Sequence, residues 1–372
     1  GGSYTENYEY ARIAIDLALA RGGDQAAIKN GEDMEYFGGS AQTVARTTRV
    51  KARVKAHALK ELLMNTDDVL IMAHKIPDLD AIGAATGVYH IAKMQGKKAN
   101  IVLNEISTSI RPVVERLSKS ISQNMFIEGV EAEKLVSENT LLIIVDTNRG
   151  SYTEYPELLS RTPNVVVIDH HRKTNDSIAG ALLDYVEPYA SSACELVTEI
   201  LQYMGDEVKL SNQEADAMYA GIVMDTNNFI NKTGVRTFEA AAILRRSGAD
   251  TVRVRKLFRE SLAEYKARAE AVRRAEIYMD KFALSICPAA KLESPTIAGA
   301  QAANELLDIK DVEASIVLTE YKEKIYLSAR SIDSVNVQVI MEKLGGGGHG
   351  TMAGAQMTGC TIEEAMEYVK VT

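Results

Sequence analysis

Val165-Val166-Val167-Ile168-Asp169-His170-His171 is a β-branched run that ends on a carboxylate and two imidazoles. Four consecutive β-branched residues predict a strand buried on both faces, which is the pattern of a parallel sheet. In open α/β sheets ligands bind at the carboxyl ends of strands, so the triplet reads as part of a metal site that needs partners elsewhere. Such partners occur. The run Val69–Ala73 leads into His74-Lys75-Ile76-Pro77-Asp78-Leu79-Asp80, and the run Leu141–Val145 leads into Asp146. The apolar helical stretch Ile222-Val223-Met224 leads into Asp225-Thr226-Asn227.

Around these motifs the pattern alternates. A helix is expected over residues 80–95, a strand over Asn100–Leu103, and helices dominate residues 191–277. Beyond them come expected strands at Phe282–Cys287, Ala314–Thr319 and Lys324–Ala329, with helices near residues 299–307, 334–343 and 362–370. The fold class is therefore α/β: a parallel-sheet domain joined by helices to a smaller α/β domain. At the start, residues 5–21 read as an amphipathic helix, Gly22-Gly23-Asp24 as a turn and Ala26–Ile28 as a short strand. The glycine-rich, acidic stretch Gly31–Ser40 reads as a linker into a basic helix over residues 45–64. Expected domains are 1–57, 58–277 and 278–372.

Composition narrows the function classes. The chain has 372 residues, 46% of them apolar, enough for conventional cores. Its net charge of -9 argues against binding along an extended nucleic acid, which needs a broad positive face. The local basic stretch with Arg46, Arg49, Lys51, Arg53, Lys55 and Lys60 reads as a solvated helix face. The longest apolar runs fall far short of the ~20 residues of a membrane helix. The opening Gly1-Gly2-Ser3, without a methionine, reads as a cloning scar or an excised fragment. Cys194, Cys287 and Cys360 lack a Cys-x-x-Cys spacing and read as structural thiols.

Taken singly, each motif has a plain structural explanation: Asp78 can cap the following helix, Asp146 can cap or turn, and one histidine can be a satisfied polar group. Taken together, four separate segments deliver acids and imidazoles to element ends, and a metal site is the better account. Two divalent ions need about five or six protein ligands with one shared, and a carboxylate bridges well because it has two oxygens. Asp146 is the candidate bridge. Imidazoles mixed with carboxylates suit Mn²⁺ better than Mg²⁺, so two Mn²⁺ are expected. Asp169 is placed to orient an imidazole by accepting its ring N–H.

His74-x-x-x-Asp78-x-Asp80, Asp146-Thr147, Asp169-His170-His171 and Asp225-Thr226 resemble, in order and spacing, the motifs of the DHH phosphoesterases, named after the Asp-His-His triplet. Gly345-Gly346-Gly347-Gly348-His349 resembles the substrate-binding motif of the associated DHHA1 domain. The resemblance implies one ion on His74, Asp78 and Asp146, a second on Asp80, Asp146, His170 and Asp225, and His171 facing the scissile phosphate. It implies substrate contacts from Gly346, Gly347, Gly348 and His349, where residues without side chains let backbone N–H groups approach a phosphate. A flexible hinge is the alternative for that run. Arg330 is a candidate phosphate clamp, and Ser192 is a helix cap with phosphate donation as a second role.

Residues 11–29, with Gly22-Gly23-Asp24-Gln25, resemble the last helix and strand of a GGDEF domain. GGDEF, DHH and DHHA1 in that order resemble the membrane-anchored bacterial phosphodiesterases that open cyclic di-AMP to the linear dinucleotide pApA. That resemblance implies a hydroxide shared by two ions as the attacking group, a homodimer, and membrane anchoring only through a missing N-terminal region, with this part facing the cytoplasm. The alternatives are an oligoribonuclease acting on short RNA such as pApA, a manganese pyrophosphatase and a catalytically silent nucleotide sensor.

Overall fold

The computed structural model describes residues 3–20, 25–31, 33–38, 49–205, 209–259, 261–288, 292, 294–332 and 335–372. Two compact units divide between Phe258 and Arg259. The first begins with α1 (Tyr4–Ala20) and a hairpin of β1 (Gln25–Asn30) and β2 (Asp33–Gly38), followed by α2 (Arg49–Met64). Its central part runs β3 (Asp68–Met72), α3 (Leu79–Met94), β4 (Lys98–Val102), α4 (Arg111–Ser120), β5 (Phe126–Ile127), α5 (Gly129–Leu135), β6 (Thr140–Val145), β7 (Val165–Asp169) and β8 (Leu183–Val186). Helices α6 (Ala193–Leu201), α7 (Asn212–Asp225), α8 (Val235–Arg246) and α9 (Thr251–Leu257) complete it.

The sheet order is β5-β4-β3-β6-β7-β8, with every neighbouring pair parallel. The chain leaves β3 toward β4 and β5, then returns to lay β6 on the other side of β3. That reversal is a topological switch point, where a crevice opens beyond the carboxyl ends of the two strands. Both faces of the sheet are covered, as its apolar runs require. Val69, Ile71, Ile143, Val145, Val166 and Ile168 pack into one core with Ile82, Leu196, Val197 and Met218. Leu70, Met72, Leu142, Ile144, Val165 and Val167 face the other way, onto Ala132 and Leu158.

Helices α3, α6 and α7 meet with almost no side chain between them. A Cβ on Gly83 would lie 2.6 Å from Cys194 Sγ and 2.7 Å from the Ala217 carbonyl oxygen. One on Gly221 would lie 2.5 Å from Cys194 Sγ and 2.8 Å from Asp80 Cα. This close approach carries the end of α7, with Asp225, up to the first turn of α3, with Asp80.

The second unit contains α10 (Leu262–Arg273), β9 (Glu276–Tyr278), β10 (Phe282–Cys287), α11 (Pro295–Leu306), β11 (Ala314–Tyr321), β12 (Lys324–Ser331), α12 (Val337–Lys343), β13 (Gly347–His349), β14 (Met352–Met357) and α13 (Ile362–Val371). Its sheet order is β13-β14-β12-β11-β10-β9, and only β10 and β11 run parallel. Leu284, Ile316, Leu318 and Leu327 pack on Val337, Met341, Ala365 and Val369 on one face. Ala283, Cys287 and Val317 pack on Ala267, Ala271, Ala298 and Ala302 on the other.

Several expectations change. The stretch read as a linker contains β2, paired with β1 from Asp33 to Gly38, because alternating Met34, Tyr36 and neighbouring residues suit a strand more than the flanking glycines oppose one. Gly22-Gly23-Asp24 and the start of the basic helix, with Arg46, lie outside the described residues. Helix α2 runs unbroken through residue 57, and α10 packs with the second unit through Ala267 and Ala271. The basic face of α2 is partly anchored: Lys51 Nζ lies 3.0 Å from Glu187 Oε2, and Lys55 Nζ donates to the Asp184 carbonyl at 2.7 Å.

The helix contact is testable. Gly221→Ala is expected to destabilise the protein by about 1–3 kcal/mol through overpacking, lowering Tm by about 2–4 °C per kcal/mol. Gly150→Ala, where no contact would be closer than 3.5 Å, is expected to leave Tm unchanged in the same thermal melt. Equal melting of both variants would refute the close-packed crossing.

Candidate metal centre

His74 and Asp78 lie on the loop from β3 into α3, Asp80 in the first turn of α3, Asp146 just after β6, and Asp169, His170 and His171 at the end of β7. Asp225 is the last residue of α7. All of these converge on the crevice between β3 and β6. Ligand atoms of His74, Asp78 and Asp146 lie within 4.8 Å of one another, as do those of Asp80, His170 and Asp225 and those of Asp146, His170 and His171. Asp146 therefore belongs to two of these groups. Its Oδ2 is 3.4 Å from His74 Nε2, and its Oδ1 is 3.2 Å from His170 Nε2. His170 Nε2 is also 3.1 Å from Asp225 Oδ2 and 3.8 Å from Asp80 Oδ2.

The backbone is bent to make this possible. Asp146 has φ 58°, in the left-handed region where aspartate is better tolerated than most residues, and such strain concentrates at functional sites. Its amide is held by the Ile168 carbonyl at 3.0 Å. Asp78 caps α3: its Oδ1 accepts from the Asp80 and Ala81 amides at 2.9 and 3.0 Å, leaving Oδ2 for another partner. Asp80 is fully buried, and its two oxygens accept from the first amides of α6, Ala193 N at 2.6 Å and Cys194 N at 2.9 Å. Hydrogen bonding to helix ends and a place in the candidate metal groups thus fall on the same side chains.

Asp169 orients His171. Its Oδ1 accepts from the His171 backbone amide at 3.1 Å and pairs with Nδ1 at 2.8 Å, which leaves Nε2 of a half-exposed ring for a ligand. The other oxygen of Asp169 accepts from Asn148 Nδ2 at 2.5 Å, and Asn148 also reaches the His171 carbonyl at 3.2 Å. Asn148 was not anticipated. Its signal is its place two residues past Asp146, on the same strand-end loop. Tyr152, also unanticipated, stacks on His74 with ring centroids 5.7 Å apart.

The electrostatics are those of a site built for cations. Burial and the carboxylates of Asp146 and Asp225 push Asp78 up to about 6 and raise Asp80 well above its ordinary value. Burial opposes ionisation of Asp146 too, but the imidazoles of His170 and His74 outweigh it and hold that carboxyl below the usual range. His170 and His74 are raised because Asp146, with Asp225 for His170, outweighs their burial. Several ligating atoms nevertheless lack a hydrogen-bond partner: Asp146 Oδ1 and His170 Nε2 face each other without one. Buried polar atoms normally find partners, and hard oxygens with imidazole nitrogens around a common point fit divalent ions.

The remaining candidates belong to none of these three groups. Ser192 Oγ accepts from Glu195 N at 3.0 Å and caps α6. In the second unit, Gly346 comes just before β13, and Gly347 and Gly348 lie within it. A Cβ on Gly348 would lie 2.5 Å from Ala353 Cα, so the strand sits against β14 only because side chains are missing. His349 and Arg330 both pair in register with Met352, one from each side of β14. Arg330 is half-buried, and its Nε has no hydrogen-bond partner; the side chain of His349 lies outside the described residues.

The model of the DHH family, N-terminal domain, matches residues 68–222, and that of the DHHA1 domain matches residues 287–371. The chain is 45% identical over 366 residues to the cyclic-di-AMP phosphodiesterase GdpP of Geobacillus thermodenitrificans, covering 97% of this chain and 55% of that protein. It is 42% identical over 375 residues to GdpP of Bacillus subtilis, covering 99% of this chain and 57% of that protein. The chain thus spans about half the length of the curated relatives it matches. A solved exopolyphosphatase-related protein from Bacteroides fragilis shares the fold, with TM-score 0.73 at 23% identity over 86% of this chain and 95% of that one. With both domain models matched in order, the chain carries the N-terminal domain of the DHH family followed by a DHHA1 domain.

Proposed function

We propose that the chain is the catalytic part of a metal-dependent phosphodiesterase that hydrolyses cyclic di-AMP to pApA. The observation that carries the reading is the sharing of Asp146 between the His74–Asp78 group and the His170 group. Its substrate assignment rests on the similarity to enzymes named as cyclic-di-AMP phosphodiesterases. His74, Asp78 and Asp146 would hold one ion, and Asp80, Asp146, His170 and Asp225 a second. Mn²⁺ suits this mixture of imidazole and carboxylate. When bound, two such ions activate water and neutralise charge on the phosphate under attack.

The side chains have separate tasks in this reaction. One P–O3′ bond breaks and one P–O bond forms with oxygen from water, giving a 5′-phosphate and a free 3′-hydroxyl. Asp169 accepts a hydrogen bond from Nδ1–H of His171, which leaves Nε2 to face the phosphate, with a lone pair in the neutral ring and with a proton for the departing 3′-oxygen in the imidazolium form. Asn148 fixes Asp169 in turn. Gly346, Gly347, Gly348, His349 and Arg330 would contact substrate, and Ser192 serves by capping α6. In the same reading, residues 11–29, whose described part falls in α1 and β1, belong to the remnant of a GGDEF-type domain. Homodimer formation and a membrane anchor outside this chain rest on the family resemblance alone. No described helix is long and apolar enough to cross a membrane.

Substrate competition decides between the readings. With Mn²⁺, cyclic di-AMP is expected to be consumed with pApA accumulating; pApA converted to AMP far faster than the cyclic substrate is opened would make the chain an oligoribonuclease instead, and phosphate release from pyrophosphate would favour a pyrophosphatase. His171→Ala is expected to lower kcat by about 10²- to 10⁴-fold, the span of a positioned acid or base, with Mn²⁺ binding retained. Undiminished turnover would remove His171 from the chemistry.

Metal binding should follow pH with a definite sign. Asp78, Asp80, His74 and His170 all hold protons to higher pH than the free side chains, and each must lose its proton to ligate. Mn²⁺ affinity is therefore expected to fall as pH drops through about 6. The metal-free fold behaves oppositely: groups with raised folded pKa values stabilise it on acidification and stop doing so as pH rises through those values. The Mn²⁺-induced rise in Tm should consequently be larger at pH 8 than at pH 5.5, about 2.7 kcal/mol of stabilisation arising at a hundredfold excess over Kd. A rise independent of pH would contradict ligation by these groups.

A further inference from the structure

A second buried polar cluster stands behind Asp80 and has no part in the chemistry above. Glu195 is 1% exposed, yet it is a carboxylate in the first turn of α6. Its Oε2 accepts from Ser191 Oγ at 2.6 Å and from Thr237 Oγ1, on α8, at 2.7 Å. Arg236 Nε lies 3.5 Å from its Oε1. The guanidinium is itself fixed, donating through Nε and Nη2 to the two oxygens of Glu199 at 2.7 and 2.8 Å.

Neither capping nor stability accounts for this arrangement. Ser192 caps α6, and the Glu195 carboxylate adds only a 3.3 Å contact from the Ser191 amide just before the cap, while its short hydrogen bonds go to two hydroxyls. A buried ion pair is a weak source of stability compared with apolar residues of the same volume. What the cluster does is tie the first turn of α6 to α8. That turn contains the amides of Ala193 and Cys194, which bind the two oxygens of Asp80. The orientation of the Asp80 carboxylate is therefore set by the turn, and the turn is set by Glu195 and its partners.

We propose that Glu195, Thr237 and Arg236 are positioning residues for Asp80, acting through the N-terminal turn of α6 to tune the affinity of one of the two metal positions. The assignment rests on the two-ion reading of the site. Groups that orient a ligand from behind it typically govern metal affinity by about 10- to 100-fold. Glu195→Gln keeps the size of the side chain and removes its charge. Thr237→Val removes one hydroxyl, and Thr237→Ser restores it.

The test is a calorimetric Mn²⁺ titration of the full chain, with kcat and KM measured in parallel. The wild-type protein is expected to bind two ions; Glu195→Gln should weaken one step by about 10- to 100-fold and leave the other unchanged, lowering kcat more than it alters KM. Thr237→Val should weaken the same step, and Thr237→Ser should weaken it less. If Glu195→Gln does not fold, the Thr237 pair decides. Both steps unchanged in Glu195→Gln and Thr237→Val, with only Tm lowered, would overturn the positioning role. Fewer than two ions bound by the wild type would overturn the two-ion reading, and this assignment with it.

Discussion

Like-charge repulsion among Asp78, Asp80, Asp146 and Asp225 is the constraint around which the first unit is arranged. Asp78 lies within 4.8 Å of Asp146, and Asp80 within 4.8 Å of Asp225; at that separation a pair of ionised carboxylates costs roughly 3.5 kcal/mol at an effective dielectric of about 20. Water would relieve that cost at a surface, but Asp80 and Asp146 are buried. The protein meets it in part with protons, seen in the raised carboxyls of Asp78 and Asp80, and in part with the imidazoles around Asp146. The amides at the start of α6 add partial positive charge at Asp80. In the proposed reading divalent cations would answer the remainder, and the same repulsion that burdens the metal-free fold would become affinity for metal.

Each feature of the fold serves that concentration of charge. The switch point between β3 and β6 supplies two strand ends side by side. Gly83 and Gly221 let α3, α6 and α7 touch, which brings Asp225 to Asp80. The left-handed backbone of Asp146 turns the chain as it leaves β6. Capping of α3 by Asp78 leaves its Oδ2 uncommitted, and the seating of Asp80 on α6 takes one hydrogen bond at each oxygen, leaving each a second lone pair.

Much of this was legible in the sequence because it is local. Val165–Ile168 and Leu141–Val145 declare buried strands by composition alone, and a polar residue directly after such a run can only be at the strand end. His74, Asp78, Asp80, Asp146, His170 and Asp225 were read on that basis, and the structure gathers all of them. What depends on pairing was not legible. Gly347–His349 and Met352–Met357 are poor in β-formers, and they become strands only by pairing with each other and β12. Glu195 and Arg236 stand far apart in the chain, each looking like an ordinary helix residue, and only the packing of α6 on α8 reveals them as a buried pair. Asn148 is short-range, but an asparagine in a loop carries no mark of the carboxylate it will hold.

The central claim is that one carboxylate, Asp146, joins two metal positions. An anomalous difference map from crystals grown with Mn²⁺ tests it most directly. Two peaks flanking Asp146, one against His74 and Asp78 and the other against Asp80, His170 and Asp225, are the expected result. A single peak, or two peaks that do not share Asp146, would contradict it.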